Sequence, residues 1–588
     1  MKKVLYAFLI LFNSFFSVFA QNNNGSLKTE KIYLHTDRDT YISGEYLSYK
    51  LYIDGNPGQL SKYAYLIIRD KNNSYVTNVR LEIIDRVAFG TLFLPDTLST
   101  GIYQMICYTN CMRNYPEETY FNKEIVIANR FDKKLNYFTD SLNIKTQDAA
   151  NTENDVSSRA NENLIIHPDK LTFSQREKIS FSIESGKTSD NIISNLSVSV
   201  SEIVPGISRV PSISEYFHNI SIREKALEPK ENVCYYYPEV YGPVIQGRVL
   251  TESHSDNKLD SVNPGNSAGT KNYIVLISTA DSIVNMQYTK TDSLGSFRIH
   301  LNPYYEGKDL FIKLKENAEA TIDPDNKFIL NQPFYPSEKF NIAGIRNALL
   351  RGSSIVQIQK FYNKQATITD VKDFYPGKIV PRVYFNHYST IFPADFIELN
   401  DFIEISKEIV PALKVRKTGD RYVSGFINFQ DNINRNAEPE IFLDGVPVDD
   451  ISQIINLGTS QINRIETLQV TRVFGEMYFS GILAVFSKNI LINKIQFKTP
   501  AIKLQALLSQ AYSKPELFKP TENRRHIPDL RQLLLWEPEI ILQKNENQQV
   551  ECYASDLPGK YRINVQGITS DGFPVNGSAI INVISKPR

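Results

Sequence analysis

Apolar and polar residues alternate along this chain from end to end, and no other feature constrains the fold as much. Leu196, Val198 and Val200 alternate with Ser197, Ser199 and Ser201 without error. Leu47, Tyr49, Leu51 and Ile53 share a face opposite Ser48 and Lys50. Phe297, Ile299 and Leu301 oppose Arg298 and His300, and Tyr561, Ile563 and Val565 oppose Arg562 and Asn564. Successive side chains of a strand point to opposite faces, so each stretch reads as an antiparallel strand with one face in a core and one in water. The 33 Tyr and 33 Phe against one Trp suit such pleated surfaces. Helical spacing is rare. One run extends from about Ile345 to Tyr362, and a shorter one, Asp401 to Ile409, has Asn400 as a candidate cap ahead of Pro411.

At about 150 residues per domain, 588 residues imply roughly four domains. Basic and acidic residues number 65 each, which removes the electrostatic basis for binding nucleic acid or an anionic membrane surface. Lys2 and Lys3, the apolar run Val4 to Phe12 and the small-residue site Val18-Phe19-Ala20 read as a signal peptide over residues 1–20. The expectation is a secreted chain beginning at Gln21, periplasmic or associated with the cell outer membrane. No other apolar run approaches the ~20 residues of a membrane helix, so no transmembrane segment is expected in the mature chain. Four cysteines in an oxidising compartment raise the question of disulfides. Cys107 and Cys111 lie in one apparent strand, too far apart for a bridge, and read as buried thiols. Whether Cys234 bridges Cys552 is left open by the sequence.

Residues 30–131 begin with Ile32-Tyr33-Leu34-His35-Thr36-Asp37-Arg38, then Tyr41 and Gly44-Glu45, and contain Gly101-Ile102-Tyr103. This resembles the opening and closing strands of a macroglobulin domain, the sandwich of the alpha-2-macroglobulin family. Thr36 and Asp37 read as turn residues satisfying local N–H groups. Residues 132–163, rich in Asn, Asp, Ser and Thr, read as a linker, and residues 164–240 as a second macroglobulin-like sandwich. Residues 241–320, with Ile245-Gln246-Gly247-Arg248-Val249 and Thr291-Asp292-Ser293-Leu294-Gly295-Ser296-Phe297, resemble a carboxypeptidase-regulatory-like sandwich. Residues 340–500 read as a helix followed by a module similar to the plug domain of TonB-dependent receptors. The residues that carry this are Glu440-Ile441-Phe442-Leu443-Asp444-Gly445-Val446-Pro447-Val448, Ile462 to Val470 and Gly481 to Phe486. Too little chain follows for a receptor barrel, which needs strands of ~9–11 residues each. Residues 524–588, with Trp536-Glu537-Pro538 and Gly559-Lys560-Tyr561-Arg562, again look macroglobulin-like. The expected class is mainly β: tandem immunoglobulin-like or macroglobulin-type sandwiches with one small mixed α/β plug-like domain. That domain is expected to fold alone, its central strand Gly481–Phe486 flanked on both sides. Leu468 and Val470 should share an apolar face, and the hairpin at Asp444, Gly445 and Val446 should be exposed as a docking element.

Chemistry is sparse. Gly265-Asn266-Ser267-Ala268-Gly269 spells a nucleophile elbow, but Asn263-Pro264 precedes it where a buried strand is needed. Ser267→Ala is therefore expected to shift stability by no more than ~0.5 kcal/mol. Labelling of Ser267 by a fluorophosphonate probe would contradict this. The seven histidines stand singly, at 35, 167, 218, 254, 300, 387 and 526, with no metal-ligand spacing. Asp323-Pro324-Asp325-Asn326 reads as a solvated turn in preference to a calcium loop. Asp449-Asp450 suits a helix start. None of Cys107, Cys111, Cys234 and Cys552 is followed by Gly, so the thioester of the macroglobulin protease traps cannot form. The expectation is a non-enzymatic binding or scaffolding protein of the bacterial cell envelope, without cofactor, metal or catalytic residue. Its expected partner is an outer-membrane barrel or envelope protein. The alternative is a solute-binding accessory of TonB-dependent uptake.

Overall fold

The computed structural model describes residues 30–132, 163–185, 194–204, 210–224, 236–251, 272–316, 319–328, 330–334, 351–355, 358, 380–384, 389–428, 433–434, 438–505, 528–543 and 546–585. The leader, nearly all of the linker, Cys234, the Gly265–Gly269 loop and most of the 345–362 helix lie outside the described residues.

The fold is mainly β, and its first module is an eight-stranded sandwich. Strands β1 (Lys31–Thr36), β3 (Tyr46–Asp54) and β6 (Val87–Phe93) form one sheet, in the order β1-β3-β6. The other holds β2 (Thr40–Ile42), β4 (Tyr63–Arg69), β5 (Tyr75–Glu82), β7 (Gly101–Thr109) and β8 (Phe121–Ala128), in the order β2-β8-β7-β4-β5. Tyr49, Leu51, Leu66, Met105 and Ile125 are fully buried in its core. Cys107 lies in β7 and Cys111 in the short 3₁₀ turn Cys111–Asn114 beyond it, and both are buried.

The chain then opens a second sandwich with β9 (Leu164–Pro168), β10 (Thr172–Ser174), β11 (Lys178–Ser185) and β12 (Ser194–Glu202). It leaves through helix α1 (Ile213–Glu224) and enters a third sandwich of β13 (Val244–Thr251), β14 (Ile274–Ser278), β15 (Gln287–Lys290), β16 (Ser296–His300), β17 (Leu310–Leu314) and β18 (Ala320–Pro324). Next comes a mixed module: β19 (Ser389–Ile391), α2 (Phe402–Glu408), β20 (Leu413–Thr418), β21 (Arg421–Asn428), β22 (Ile433–Asn434), β23 (Glu440–Leu443), β24 (Val446–Pro447), β25 (Ile462–Leu468), β26 (Arg472–Phe474), β27 (Met477–Phe479) and β28 (Ile482–Ser487). Strand β29 (Ala501–Leu504) returns to pair with β17 of the third sandwich. The last strands are β30 (Leu533–Leu542), β31 (Asn547–Tyr553), β32 (Gly559–Thr569) and β33 (Pro574–Ile584).

Two expected domains are one. The sheets β10-β33-β32-β12-β30 and β31-β11-β9 combine strands from residues 164–202 and 533–584, so the sandwiches expected at 164–240 and 524–588 are halves of a single one. Each half buries only one side of a core that both must close: Phe181, Leu196 and Val198 pack with Tyr561, Ile563 and Val565. Residues 213–224 of the expected second sandwich are helical instead. Similarly, the third sandwich takes its seventh strand, β29, from beyond residues 241–320.

The completed second sandwich repeats the first strand for strand. In both, the second strand runs parallel to the eighth. The Asp37 N–H donates to Ser48 O, and the Asp169 N–H to Ser180 O, at 3.0 Å each. Glu45 accepts from Ile42 N–H at 2.8 Å, and Glu177, at the same spacing, from Ser174 N–H at 2.7 Å. Tyr103 and Tyr561 each donate to the carbonyl four residues earlier, Ser99 and Leu557, at 2.7 and 3.0 Å.

The sheet of the mixed module runs β19-β25-β28-β23-β24, with β28 central and parallel to β23. One face, with Leu443, Leu483 and Val485, packs on Phe402 and Ile405 of α2. The helix is capped by Asp401, whose carboxylate accepts from Glu404 N–H; the expected cap was Asn400. The other face, with Phe442, Ala484 and Phe486, packs on Leu276 and Met286 of the third sandwich. The module therefore does not close its own core, contrary to the expectation of an independent fold: a sheet apolar on both faces needs cover on both. Leu468 ends β25 and is buried, while Val470 lies beyond it and is exposed.

Candidate functional site

The Asp444-Gly445 hairpin forms as expected, with φ of +49° and +86° at its two central residues. It is not exposed. Asp444 is 3% and Val446 1% accessible, because the turn lies on the loop after β14. The Asp444 and Gly445 carbonyls accept from the N–H groups of Asp281 (2.8 Å) and Asn285 (3.4 Å). The Asp444 carboxylate accepts from Ser487 N–H at 2.6 Å, Ser487 Oγ at 2.8 Å and Ile492 N–H at 3.1 Å. The candidate docking element thus docks within the chain, onto the third sandwich. Alternation and turn chemistry foretold the hairpin but carried no information on what would cover it.

A buried ion pair seals the same junction. Lys313 Nζ lies 2.8 Å from Asp449, both side chains 6% accessible, and also donates to Pro447 O at 3.2 Å. Asp449 accepts further bonds from Thr499 Oγ1 and Lys498 N–H, while Asp450 caps the 3₁₀ turn Ile451–Gln453. Lys313→Ala leaves that carboxylate buried without its cation, and is expected to cost about 3–5 kcal/mol in denaturant unfolding. A loss below about 1 kcal/mol, the range of an exposed pair, would contradict the assignment.

Charged groups likewise join the first and third sandwiches. Lys327 Nζ lies 2.5 Å from the fully buried Glu239, which also accepts from Tyr65 OH at 2.8 Å and Val244 N–H at 2.7 Å. Arg113 forks onto Asp325 at 2.6 and 2.8 Å. The carboxylate considered for calcium is therefore engaged by a guanidinium, and its turn is part of a joint. Among the described residues, no group of three His, Cys, Asp or Glu is placed to hold a metal.

The first and second sandwiches meet across polar faces. Lys50 of β3 and Ser197 and Ser199 of β12, on the sides expected in water, are buried against the partner sandwich. His35 sits in this joint at 2% accessibility, bonded to Ser197 Oγ at 2.6 Å and Asn564 Nδ2 at 3.1 Å. Lys50, fully buried, donates to Asn195 Oδ1 (2.5 Å), Leu196 O (3.1 Å) and Pro538 O. The ladder between β12 and β30 is irregular between Leu196 and Val198, and Pro538 has no N–H to give it, so the ammonium binds carbonyls there. Burial lowers the Lys50 pKa to about 7 despite Glu539 and Glu537 nearby. A polar cleft of about 150 Å³ flanks the joint, lined by Asp37, Arg38, Lys123, Arg562, Asn564 and Asn576 among others. Thr36 Oγ1 donates to Arg38 O at 2.7 Å and Asp37 accepts from Tyr41 OH at 2.6 Å, so both side chains bond within the turn, but to a carbonyl and a phenol where local N–H groups were expected.

One exposed element escaped the sequence reading. Hairpin β26–β27 pairs Val473 with Tyr478, which are 57% and 74% accessible. Its turn is fixed to the third sandwich: Glu476 N–H donates to Tyr288 OH at 3.1 Å, and Phe474 packs on the Tyr288 ring. Gly475 at φ +60°, between apolar alternations, was the available signal.

No protein-family model and no curated protein matches the chain. Solved structures with a likeness include alpha-2-macroglobulin from Salmonella reacted with methylamine. It is 8% identical, the likeness covers 96% of this chain and 40% of that one, and the TM-score is 0.23. Trypsin-activated alpha-2-macroglobulin from Escherichia coli is 9% identical over 95% of this chain and 42% of that one, with a TM-score of 0.22. A CARDB domain from Pyrococcus furiosus, in complex with di-metal ions, is 9% identical over 18% of this chain and 98% of its own, with a TM-score of 0.15. This chain thus spans about 40% of the length of the macroglobulins, and no residue role transfers at such scores. Burial pushes the Cys107 thiol up and the Cys552 thiol up to about 12, which disfavours the reactive thiolate.

Proposed function

We propose that this chain is a non-enzymatic scaffold of the bacterial cell envelope, exported by residues 1–20 and held at an outer-membrane complex through a barrel or other envelope protein. The observation that carries the reading is one of rigidity with an exposed apolar pair. The modules are fixed to one another by buried ion pairs and shared cores, while the anchored hairpin β26–β27 holds Val473 and Tyr478 side by side in solvent. A rigid apolar and aromatic pair on a fixed hairpin suits protein contact, because little conformational freedom is lost on docking. The test is a photo-crosslinking residue at position 478 in the native host, followed by purification from intact membranes. An adduct with an outer-membrane protein is the expected result. Recovery of a bound glycan or peptide with no protein adduct would overturn the scaffold in favour of the solute-uptake reading.

A further inference from the structure

We propose that the joint between the first two sandwiches is an acid-released clasp, held by a hydrogen-bond relay through His35 and opened when that imidazole takes a second proton. The relay has one direction. Ile213 N–H donates to Gln566 Oε1 at 2.9 Å, and Gln566 Nε2 donates to Asn564 Oδ1 at 2.7 Å. With its oxygen occupied, Asn564 presents Nδ2–H to His35 Nε2 at 3.1 Å, so that nitrogen is the acceptor. The single ring proton is therefore on Nδ1, donated to Ser197 Oγ at 2.6 Å; that hydroxyl gives its own proton to Tyr52 OH at 2.7 Å, which in turn donates to Gln566 O at 2.9 Å. A proton added to Nε2 would face an amide donor. Ser199 Oγ, at 3.4 Å, is a longer neighbour. Turning the Asn564 amide to accept would break its bond with Gln566, which a backbone N–H holds in place.

The surrounding charges favour the same outcome. The cations are Lys50 from β3, Lys123 from β8, Arg38 from the turn after β1 and Arg562 from β32. The anions are Asp37 and Asp39 from that turn, Glu202 from β12, and Glu537 and Glu539 on β30. Burial first, then Lys123 and Lys50, hold His35 well below the usual histidine range. In an opened joint it returns to about 6.5, so below that pH the open form binds more protons and the joint weakens as pH falls. Lys50, at about 7 closed and an ordinary lysine when open, weakens the joint in the same direction between about 10.5 and 7. Asp37, raised by burial to about 6, has the opposite sign, but its side-chain partners Tyr41 and Arg38 belong to the first sandwich and stay with it on opening.

The chain carries its own reporter. Trp536, its single tryptophan, is 3% accessible and packs edge-on to His35 with ring centroids 5.2 Å apart. Emission and iodide quenching of the full chain would be followed from pH 7.5 to 5, with far-UV dichroism as the control for intact strands. The expected result is a reversible red shift, with the iodide-accessible fraction rising up to about ten-fold per pH unit below about 6.5. The same titration of His35→Gln should show no acid transition. A tryptophan that stays shielded to pH 5, or an unchanged transition in His35→Gln, overturns the clasp. Should that variant fail to fold, hydroxyl-radical footprinting of the fully buried Tyr52 in the unmodified chain decides. Oxidation of Tyr52 that rises at pH 5.5 supports the clasp, and continued shielding refutes it.

Discussion

Residues 163–204 joined directly to 529–588 are expected to fold as one cooperative unit, whereas residues 524–588 alone should remain unfolded. In the isolated piece β30, β32 and β33 lose β12 and β10, and β31 loses β11. Eight core side chains, Phe173, Phe181, Leu196 and Val198 among them, are withdrawn from the other half. At about 1.5–3 kcal/mol for each buried apolar side chain, that loss matches or exceeds the roughly 5–15 kcal/mol by which a whole domain is stable. The joined chain needs only a tight turn, because Glu202 N–H already donates to Gln532 O at 2.9 Å and Ser201 pairs with Leu533. Thermal melts by far-UV dichroism separate the two outcomes. A cooperative transition in residues 524–588 alone would restore two independent sandwiches.

Gly445→Val is expected to cost roughly 2–6 kcal/mol and to loosen the mixed module from the third sandwich. Two effects add. A β-branched residue at φ +86° carries backbone strain of about 1–3 kcal/mol. Independently, a Cβ at this position would stand 2.5 Å from Ile283 O and 2.8 Å from Asn285 Nδ2, so the loop after β14 must move, an overpacking cost of about 1–3 kcal/mol. An exposed hairpin would feel only the first effect. Denaturant unfolding measures the sum, and faster proteolysis near residues 279–286 would report the loosened junction. Unchanged proteolysis near residues 279–286 would mean the turn is not seated there.

The covered hairpin and the divided sandwich mark where sequence reading stops. Alternation identified strands on both sides of the divide, and the tyrosine after each closing glycine, Tyr103 and Tyr561, was visible as a repeated pattern. It could not show that β12 pairs with β32, because pairing between distant strands leaves no local trace and the entropy of closing a loop grows only slowly with its length. The missed hairpin β26–β27 was legible through Gly475, but its exposure was not.

The sequence by itself determined the mainly β class, the turn at Asp444-Gly445 and a central β28 apolar on both faces. These are local, since backbone conformation and side-chain period act over a few residues. Only the tertiary structure decided which faces are wet. Lys50, Ser197 and Ser199 stood on polar faces in the sequence and are buried in the structure, because two polar sheet faces meet there and satisfy one another's hydrogen bonds. Polarity fixes that a group needs a partner, and folding alone determines whether that partner is water or another module.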